Sequence, residues 1–172
     1  MKVFATQLQG AFQHILSEDE AIENGARLLA QGPAGTGRLL IGGTSSMEGS
    51  ALTLAQHPDA PPQTAFVPLE ELGKVEMDDR VLLLAGNEEK DALLTAAGRL
   101  LEQEIPFVVT APFAAEDSGL ELEPTDVWLQ THVKGGIVPG EGGLRMGDPS
   151  ALCALFAGQL LFLNIIEMLD EF

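Results

Sequence analysis

The sequence predicts an α/β fold, a three-layer α-β-α sandwich with a five-stranded parallel sheet of the doubly wound, flavodoxin/Rossmann type. Segments with strand and helix patterns alternate through the middle of the chain, which favours right-handed crossovers between parallel strands. The strand candidates are short apolar runs without polar alternation, as expected for strands covered on both faces. The 172 residues, 45% of them hydrophobic, suffice for the core of about one domain. We therefore expect a single domain over residues 1–172.

Two amphipathic helices are predicted at the start of the chain. Apolar residues over 4–15 recur with the spacing that gathers them on one side of a helix. A capping-box pattern opens a second helix over 18–31, and Gly32 and Pro33 are expected to end it.

Strands and helices then alternate. The apolar run 38–43 ends in two glycines and predicts the first strand, and the hydroxyl-rich turn after it opens a helix over 47–56. A further helix is predicted over 88–104, with acidic residues in the first turn where the helix dipole favours them. The other strand candidates are residues 64–67, 79–85, 106–110 and 126–131.

The last segment, 149–169, is apolar around nearly its whole circumference, so a helix there must be covered on several sides. Its length would allow it to span a bilayer. However, Gln159, Asn164 and Glu167 interrupt the apolar run, and no basic flank anchors it. Burial in the core and in a subunit interface is the interpretation we prefer.

The strong negative charge excludes several classes of partner. Nine Lys and Arg against 26 Asp and Glu give a formal net charge of -17, so nucleic acid and anionic membrane surfaces are repelled at long range. The single cysteine, Cys153, excludes an intramolecular disulfide and a cysteine-based zinc site. Because the start of the chain has no uninterrupted apolar core of a signal peptide, we expect a cytoplasmic protein.

Ligands of parallel sheets bind beyond the carboxyl ends of the strands, which nominates three loops: 42–46, 86–90 and the region after Thr131. In the first loop, Gly43 allows close backbone approach, and the three residues after it offer hydroxyls and amides at a helix start. Such a turn can be an anion seat or an ordinary helix cap.

The order of these landmarks resembles the sugar isomerase (SIS) domain, which binds phosphosugars. Residues 38–46, 79–87 and 105–110 follow one another as that family's strands and loops do. The resemblance is to small uncharacterised bacterial SIS-like proteins and, more distantly, to phosphoheptose isomerases. It implies a subunit interface that involves the terminal helices and a phosphosugar pocket near that interface.

The resemblance also implies which residues bind substrate. Thr44, Ser45 and Ser46 correspond to the first phosphate-binding position. Asn87 and Lys90 lie in the second loop, which is a Ser-x-Ser-Gly-x-Thr type sequence in the family.

That second loop departs from the family pattern. Glu88 and Glu89 are expected to compensate the positive helix terminus and to repel a phosphate placed there. Lys90 either restores one positive charge or takes part in surface ion pairs.

Catalytic residues are sparse in the sequence. Phosphoheptose isomerases carry a His-x-x-x-Glu pair on the helix after the first strand, whereas residues 47–56 contain only Glu48 and no histidine. Glu48 suits a helix-dipole partner or a base, and His132 lies at the ligand end of the sheet. We expect structural roles for His14 and His57, and we expect no metal or cofactor.

The sequence leaves two possible roles for a pair of cationic residues in the loop after the fifth strand. Lys134 and Arg145 bracket much of the glycine-rich loop that precedes the last helix. They either face an anion or offset the nearby Glu141 and Asp148.

We expect a homodimer or higher homo-oligomer, and three functions are consistent with the sequence. The first is a regulatory or ligand-sensing protein that binds a small phosphorylated sugar or related anion without evident catalysis. The second is an aldose/ketose phosphate isomerase in which Glu48 or another carboxylate moves a proton and His132 assists ring opening. The third is a structural or partner-binding dimer with a decayed pocket. The first depends on the donors of residues 42–46 being open to a ligand, and a loop filled by the protein's own side chains would contradict it.

Overall fold

The computed structural model describes residues 1–170, and a five-stranded sheet with the strand order β2-β1-β3-β4-β5 organises them. Every pairing in this sheet is parallel. The sheet strands are β1 (Leu39–Gly43), β2 (Thr64–Phe66), β3 (Arg80–Leu84), β4 (Phe107–Ala111) and β5 (Val127–Gln130). The helices are α1 (Lys2–Leu16), α2 (Asp19–Ala34), α3 (Glu48–Ala55), α4 (Lys90–Glu102) and α5 (Ser150–Asp170). The predicted α/β class and five-stranded parallel sheet are confirmed.

Alternate side chains of the strands point to opposite faces and divide the core into two layers. Leu39 and Ile41 of β1 join the apolar side chains of α1, α2, α3 and α5. Leu40, on the other face of the same strand, packs with the apolar side of α4 and the 3₁₀ turn Leu69–Lys74. Both faces of the sheet are therefore covered, which explains why the strand sequences show no polar alternation.

The predicted end of α2 at Gly32 is wrong, because the helix continues through Pro33 to Ala34. Proline in a last turn removes only one intrahelical hydrogen bond, and part of its steric cost is the contact between its ring and the Cβ of the preceding residue. Gly32 has no Cβ, and one built there would lie 2.6 Å from the Arg38 carbonyl oxygen. The glycine therefore allows both the proline and the close approach of β1.

The glycine-rich stretch after β5 contains a two-stranded antiparallel hairpin that the sequence analysis did not predict. Its strands are β6 (Val138–Pro139) and β7 (Arg145–Met146), joined by a 3₁₀ turn. Two-residue strands carry too little periodicity to stand out from a loop.

One side of α5 belongs to the core, where Cys153, Ala157, Leu161 and Ile165 are fully buried. By length and composition alone the helix could cross a membrane, and 39% of its most apolar window is buried in the protein. Its outer side leaves Leu163 52% exposed. The predicted place of the last helix in the core is confirmed for this buried side.

The amino ends of β1 and β3 are joined by an ion pair. Asp79 is only 2% exposed and accepts hydrogen bonds from Arg38 through the backbone N–H (2.8 Å), Nε (3.1 Å) and Nη2 (2.7 Å). The Glu76 N–H donates to the same carboxylate at 3.0 Å. Burial alone raises the pKa of Asp79, but the hydrogen bonds from Arg38 and Glu76 outweigh it and leave the pKa below its ordinary value.

We expect Asp79→Asn to lower the free energy of unfolding near neutral pH by about 2–3 kcal/mol, less than for a fully buried pair because solvent screens the half-exposed Arg38. A depressed folded-state pKa stabilises the protein above the unfolded pKa of about 4. The difference between native and variant should therefore shrink as the pH falls through the folded pKa. Urea unfolding across this pH range measures it, and Asp78→Asn, at the adjacent exposed position, is the control. A constant difference at all pH values would contradict the prediction.

Candidate functional site

The first two predicted loops meet at the carboxyl edge of the sheet because β1 and β3 are neighbours. The Thr44 N–H donates to the Leu84 carbonyl at 2.9 Å, and the Gly86 N–H donates to Thr44 Oγ1 at 3.0 Å. Thr44 is 1% exposed, so its hydroxyl is held in place by this packing. We call the donors of Thr44 and Ser46 the Thr44–Ser46 cradle.

The cradle holds an anion, which is the side chain of Glu89. The Thr44 hydroxyl donates a short hydrogen bond to Glu89 Oε2, and the Ser46 hydroxyl donates to the same oxygen at 2.7 Å. The Ser46 N–H donates to Glu89 Oε1 at 2.9 Å. Two hydroxyls and one amide thus bind a single carboxylate, and the groups predicted to be open to a ligand are engaged by the protein itself.

The cradle stabilises the charged form of this carboxylate. Burial alone raises the pKa of Glu89, but hydrogen bonds from Thr44 and Ser46 outweigh it and lower the pKa below its ordinary value. The loop therefore binds a carboxylate of the chain itself, and its donors are not open to a ligand while Glu89 is bound.

The role expected for Glu89 was wrong. It was predicted to lie in the first turn of a helix from residue 88 and to compensate the dipole, whereas α4 begins at Lys90 and Glu89 is the residue before it. Its carboxylate points to the loop after β1, where Thr44 and Ser46 bind it. The sequence signal was present, since an acidic residue replaces the family's hydroxyls in the second loop, but the distance between residues 46 and 89 hid the pairing.

Ser45 and Glu48 lie in a different place from the cradle. Together with Gly43 they line a small cavity of about 210 Å³ beside β2, which Phe66 and Glu70 also line. The three consecutive hydroxyl residues are thus divided, with Thr44 and Ser46 on the Glu89 carboxylate and Ser45 facing the small cavity.

The predicted residues of the second loop also separate. Asn87 is exposed, and a Cβ built on Gly135 would lie 3.8 Å from its Nδ2 atom, so Asn87 borders the loop after β5. The Lys90 ammonium donates a short hydrogen bond to the Asp117 carbonyl, which directs it away from the cradle. Lys90 therefore adds no donor to the cradle in this conformation.

His132 lies apart from Glu48. Its Nε2 atom is 2.5 Å from Glu18 Oε1, and its ring borders a cavity of about 530 Å³ between α1 and the loop after β5. His14 lines the same cavity, which we call the β5 cavity. His57 hydrogen-bonds Gln159 at 2.8 Å, as its expected structural role implies.

Within residues 1–170, no three or more His, Cys, Asp and Glu side chains are grouped closely enough to hold a metal ion. The Cys153 thiol is buried, and burial together with the nearby Asp148 carboxylate raises its pKa to about 11. The thiol is therefore protonated at neutral pH and is a poor nucleophile.

Solved structures similar to this chain have the SIS fold. One is a phosphoheptose isomerase from Neisseria gonorrhoeae, with a TM-score of 0.65 and 16% identity over 98% of this chain and 95% of that one. Another is a phosphoheptose isomerase from Francisella tularensis, with a TM-score of 0.64 and 13% identity over 99% of this chain and 96% of that one. These likenesses confirm the predicted SIS-type fold, and at such identities they establish the fold alone.

A family model described as "Domain of unknown function (DUF2529)" matches residues 1–169, and the chain belongs to this family. The uncharacterized protein YwjG of Bacillus subtilis (strain 168) is 32% identical over 176 residues, which span 100% of this chain and 99% of YwjG. The predicted resemblance to uncharacterised bacterial SIS-like proteins is thereby confirmed.

We expect Glu89→Gln to lower the free energy of unfolding by about 1 kcal/mol at neutral pH, because a neutral amide accepts weaker hydrogen bonds from the cradle and adds an amide donor beside it. The pKa of Glu89 is lower in the folded than in the unfolded state. The difference in unfolding free energy between the two proteins therefore has its full size above the unfolded pKa of about 4 and shrinks as the pH falls through the folded pKa. Urea unfolding of both proteins from neutral to acidic pH checks this. Glu88→Gln, at the exposed neighbour, should change stability little, and equal effects of the two substitutions would contradict the assignment.

Proposed function

We propose that this protein binds a small phosphorylated sugar or a related anion at the carboxyl edge of its sheet and acts as a ligand-sensing protein of the cytoplasm. Because the Glu89 carboxylate fills the Thr44–Ser46 cradle, the donors are not open to a ligand as the sequence analysis required. The observation that carries the proposal is the chemistry of the cradle, whose three donors bind one oxyanion and can bind another once Glu89 leaves. A carboxylate and a phosphate present similar oxygens to such donors. The similarity of the fold to phosphoheptose isomerases supports a phosphosugar as the ligand class.

In this proposal the ligand phosphate displaces the Glu89 carboxylate from the cradle. The two anions cannot share the same donors, since like charges at this distance repel strongly. The Glu89 carboxylate makes no cap hydrogen bond to α4, and its release breaks the link that it forms between the loops after β1 and β3. Ligand binding is thereby converted into a conformational change at the surface, which is what a sensor requires.

The isomerase alternative has less support. It requires Glu48 and His132 to act on one sugar, yet Glu48 lines the small cavity beside β2 and His132 lines the β5 cavity. We therefore do not propose catalysis by this pair.

Ligand binding is tested by thermal unfolding with a panel of phosphosugars. A true ligand at about 100 times its Kd should add about 2.7 kcal/mol of stability. In the Glu89→Ala background, where no carboxylate competes for the donors, Ser46→Ala removes a cradle hydroxyl and should weaken binding about tenfold. Ser45→Ala in the same background, at the adjacent residue outside the cradle, should leave binding unchanged. If no phosphosugar stabilises the native protein, the sensing proposal fails and the alternative of a dimer with a decayed pocket gains support.

Competition by Glu89 makes a second prediction about the same ligand. Glu89→Ala leaves the cradle donors open, so the phosphosugar should bind about tenfold more tightly than to the native protein. Isothermal titration calorimetry measures the change in Kd. Glu88→Ala is the control, because it removes the same charge from the exposed neighbouring residue. Weaker binding by Glu89→Ala would show that Glu89 supports the site and does not compete for it.

We also propose that the protein is a homodimer or higher homo-oligomer through its terminal helices. Phe12 of α1 stacks on Phe156 of α5 with ring centroids 4.3 Å apart, so the two terminal helices pack together. Leu152 and Leu163 of α5 are 45% and 52% exposed. Apolar residues on one helix surface favour a protein partner.

We expect Leu163→Glu to shift the protein to the monomer, because it places a charge in the proposed interface. Light scattering after size-exclusion chromatography measures the mass. Leu144→Glu introduces the same charge at a 73% exposed leucine of the β6–β7 hairpin and should leave the mass unchanged. A monomeric native protein would overturn the proposal.

A further inference from the structure

The β5 cavity has the opposite charge character to most of this acidic molecule. None of the described residues that line it is an Asp or Glu, although the chain contains 26 of them. Four further cavities each have at least one acidic residue in their lining. Four side chains that carry or can accept a positive charge face the β5 cavity instead. They are His14, His132, Lys134 and Arg145.

The two permanent cations of the cavity are not neutralised by carboxylates. Within residues 1–170, neither Lys134 nor Arg145 forms an ion pair, so of the two roles left open by the sequence, the offset of Glu141 and Asp148 is not realised. Asp148 instead accepts a hydrogen bond from the Ser150 N–H at 2.8 Å at the start of α5. Both positive charges therefore remain available to a ligand.

Arg145 is held in position by the loop it faces. Its Nε donates to the Gly136 carbonyl at 2.8 Å, and its Nη2 donates to the Ile137 carbonyl at 3.4 Å, which leaves the Nη1 side of the guanidinium to a ligand. These bonds orient the guanidinium across the loop after β5 without reducing its charge. An arginine fixed in this way can direct its remaining N–H groups to two oxygens of one anion.

The two histidines are also held. Their rings meet edge to face, with centroids 6.0 Å apart and an angle of 81° between planes. Glu18 Oε1 lies 2.5 Å from His132 Nε2, so the positive charge of the cavity rests on Lys134 and Arg145.

We propose that the β5 cavity binds a small organic molecule through a phosphate group, at a second anion site separate from the Thr44–Ser46 cradle. Lys134 and Arg145 supply the charge that the phosphate requires in a chain of net charge -17. The volume of about 530 Å³ exceeds what a phosphate alone needs and suits a small metabolite. Ala11, Val133 and Ile137 give the rest of the cavity an apolar lining for the organic part.

This proposal is independent of the proposed sensing function, because the two sites share no residue. Inorganic phosphate is the probe, titrated into the full-length protein by isothermal titration at low ionic strength. Lys134→Gln should weaken phosphate binding about tenfold, as expected for loss of one charge-assisted contact. Lys74→Gln removes the same charge from an exposed lysine that pairs with Glu71 and should have no such effect.

The site of binding is read from the three histidine ring signals by NMR during the same titration. The signals of His14 and His132 should move with phosphate concentration, whereas that of His57, which contacts Gln159, should stay. Unaltered native-like spectra of the variants show that they remain folded.

Three outcomes would overturn the second site: no phosphate binding by the native protein, equal binding by Lys134→Gln, or unmoved His14 and His132 signals. If Ser46→Ala weakens phosphate binding while Lys134→Gln does not, phosphate occupies the Thr44–Ser46 cradle. In that case the second site is rejected and the sensing proposal stands. The reverse pattern supports the β5 cavity and leaves the phosphosugar panel to decide the function of the cradle.

Discussion

The parallel pairing of β1 with β3 is the constraint on which the rest of the candidate site depends. It places the end of β1 at Gly43 directly opposite Leu84, so the loops that follow the two strands leave the sheet side by side. The bonds between Thr44, Leu84 and Gly86 then fix the spacing of the loops. Only because of this spacing can Glu89, far along the chain from Thr44 and Ser46, reach their donors.

The charge of the molecule determines how its anion sites are built. A protein of net charge -17 attracts no anion at long range, so each site must rely on local donors. The cradle uses hydroxyls and an amide, and its anion is supplied by the chain itself. The β5 cavity uses side-chain cations that no carboxylate neutralises within residues 1–170. These are two different physical solutions to the same electrostatic problem, at neighbouring loops of one sheet edge.

Much of the fold could be predicted from the sequence, because its strands are buried on both faces. An uninterrupted apolar run such as 80–84 can be placed without knowledge of its neighbours. The errors occurred where tertiary contacts override a local rule. Pro33 continues a helix because Gly32 leaves room for it, and the two-residue strands β6 and β7 are too short to show a period.

The candidate site was predictable only in part. The position of the anion seat followed from the glycines and hydroxyls of the first loop, and the resemblance to the SIS domain pointed to the same residues. The sequence did not reveal that Glu89 occupies the seat, since local patterns do not show contacts between residues more than forty positions apart. The acidic second loop was recognised as a departure, but whether Glu89 repels a ligand or takes its place depends on which way the side chain turns. That direction is a tertiary property.

Gly86 makes the occupied cradle recognisable in other chains of this fold. A Cβ at this position would collide with both Ser46 Oγ and Glu89 Oε2, so only glycine leaves room for the carboxylate. Residues 86 and 89 are therefore sterically linked. A homologue with glycine and glutamate at these two positions has the means to close its own seat, whereas one with a larger residue in place of the glycine must keep its carboxylate elsewhere.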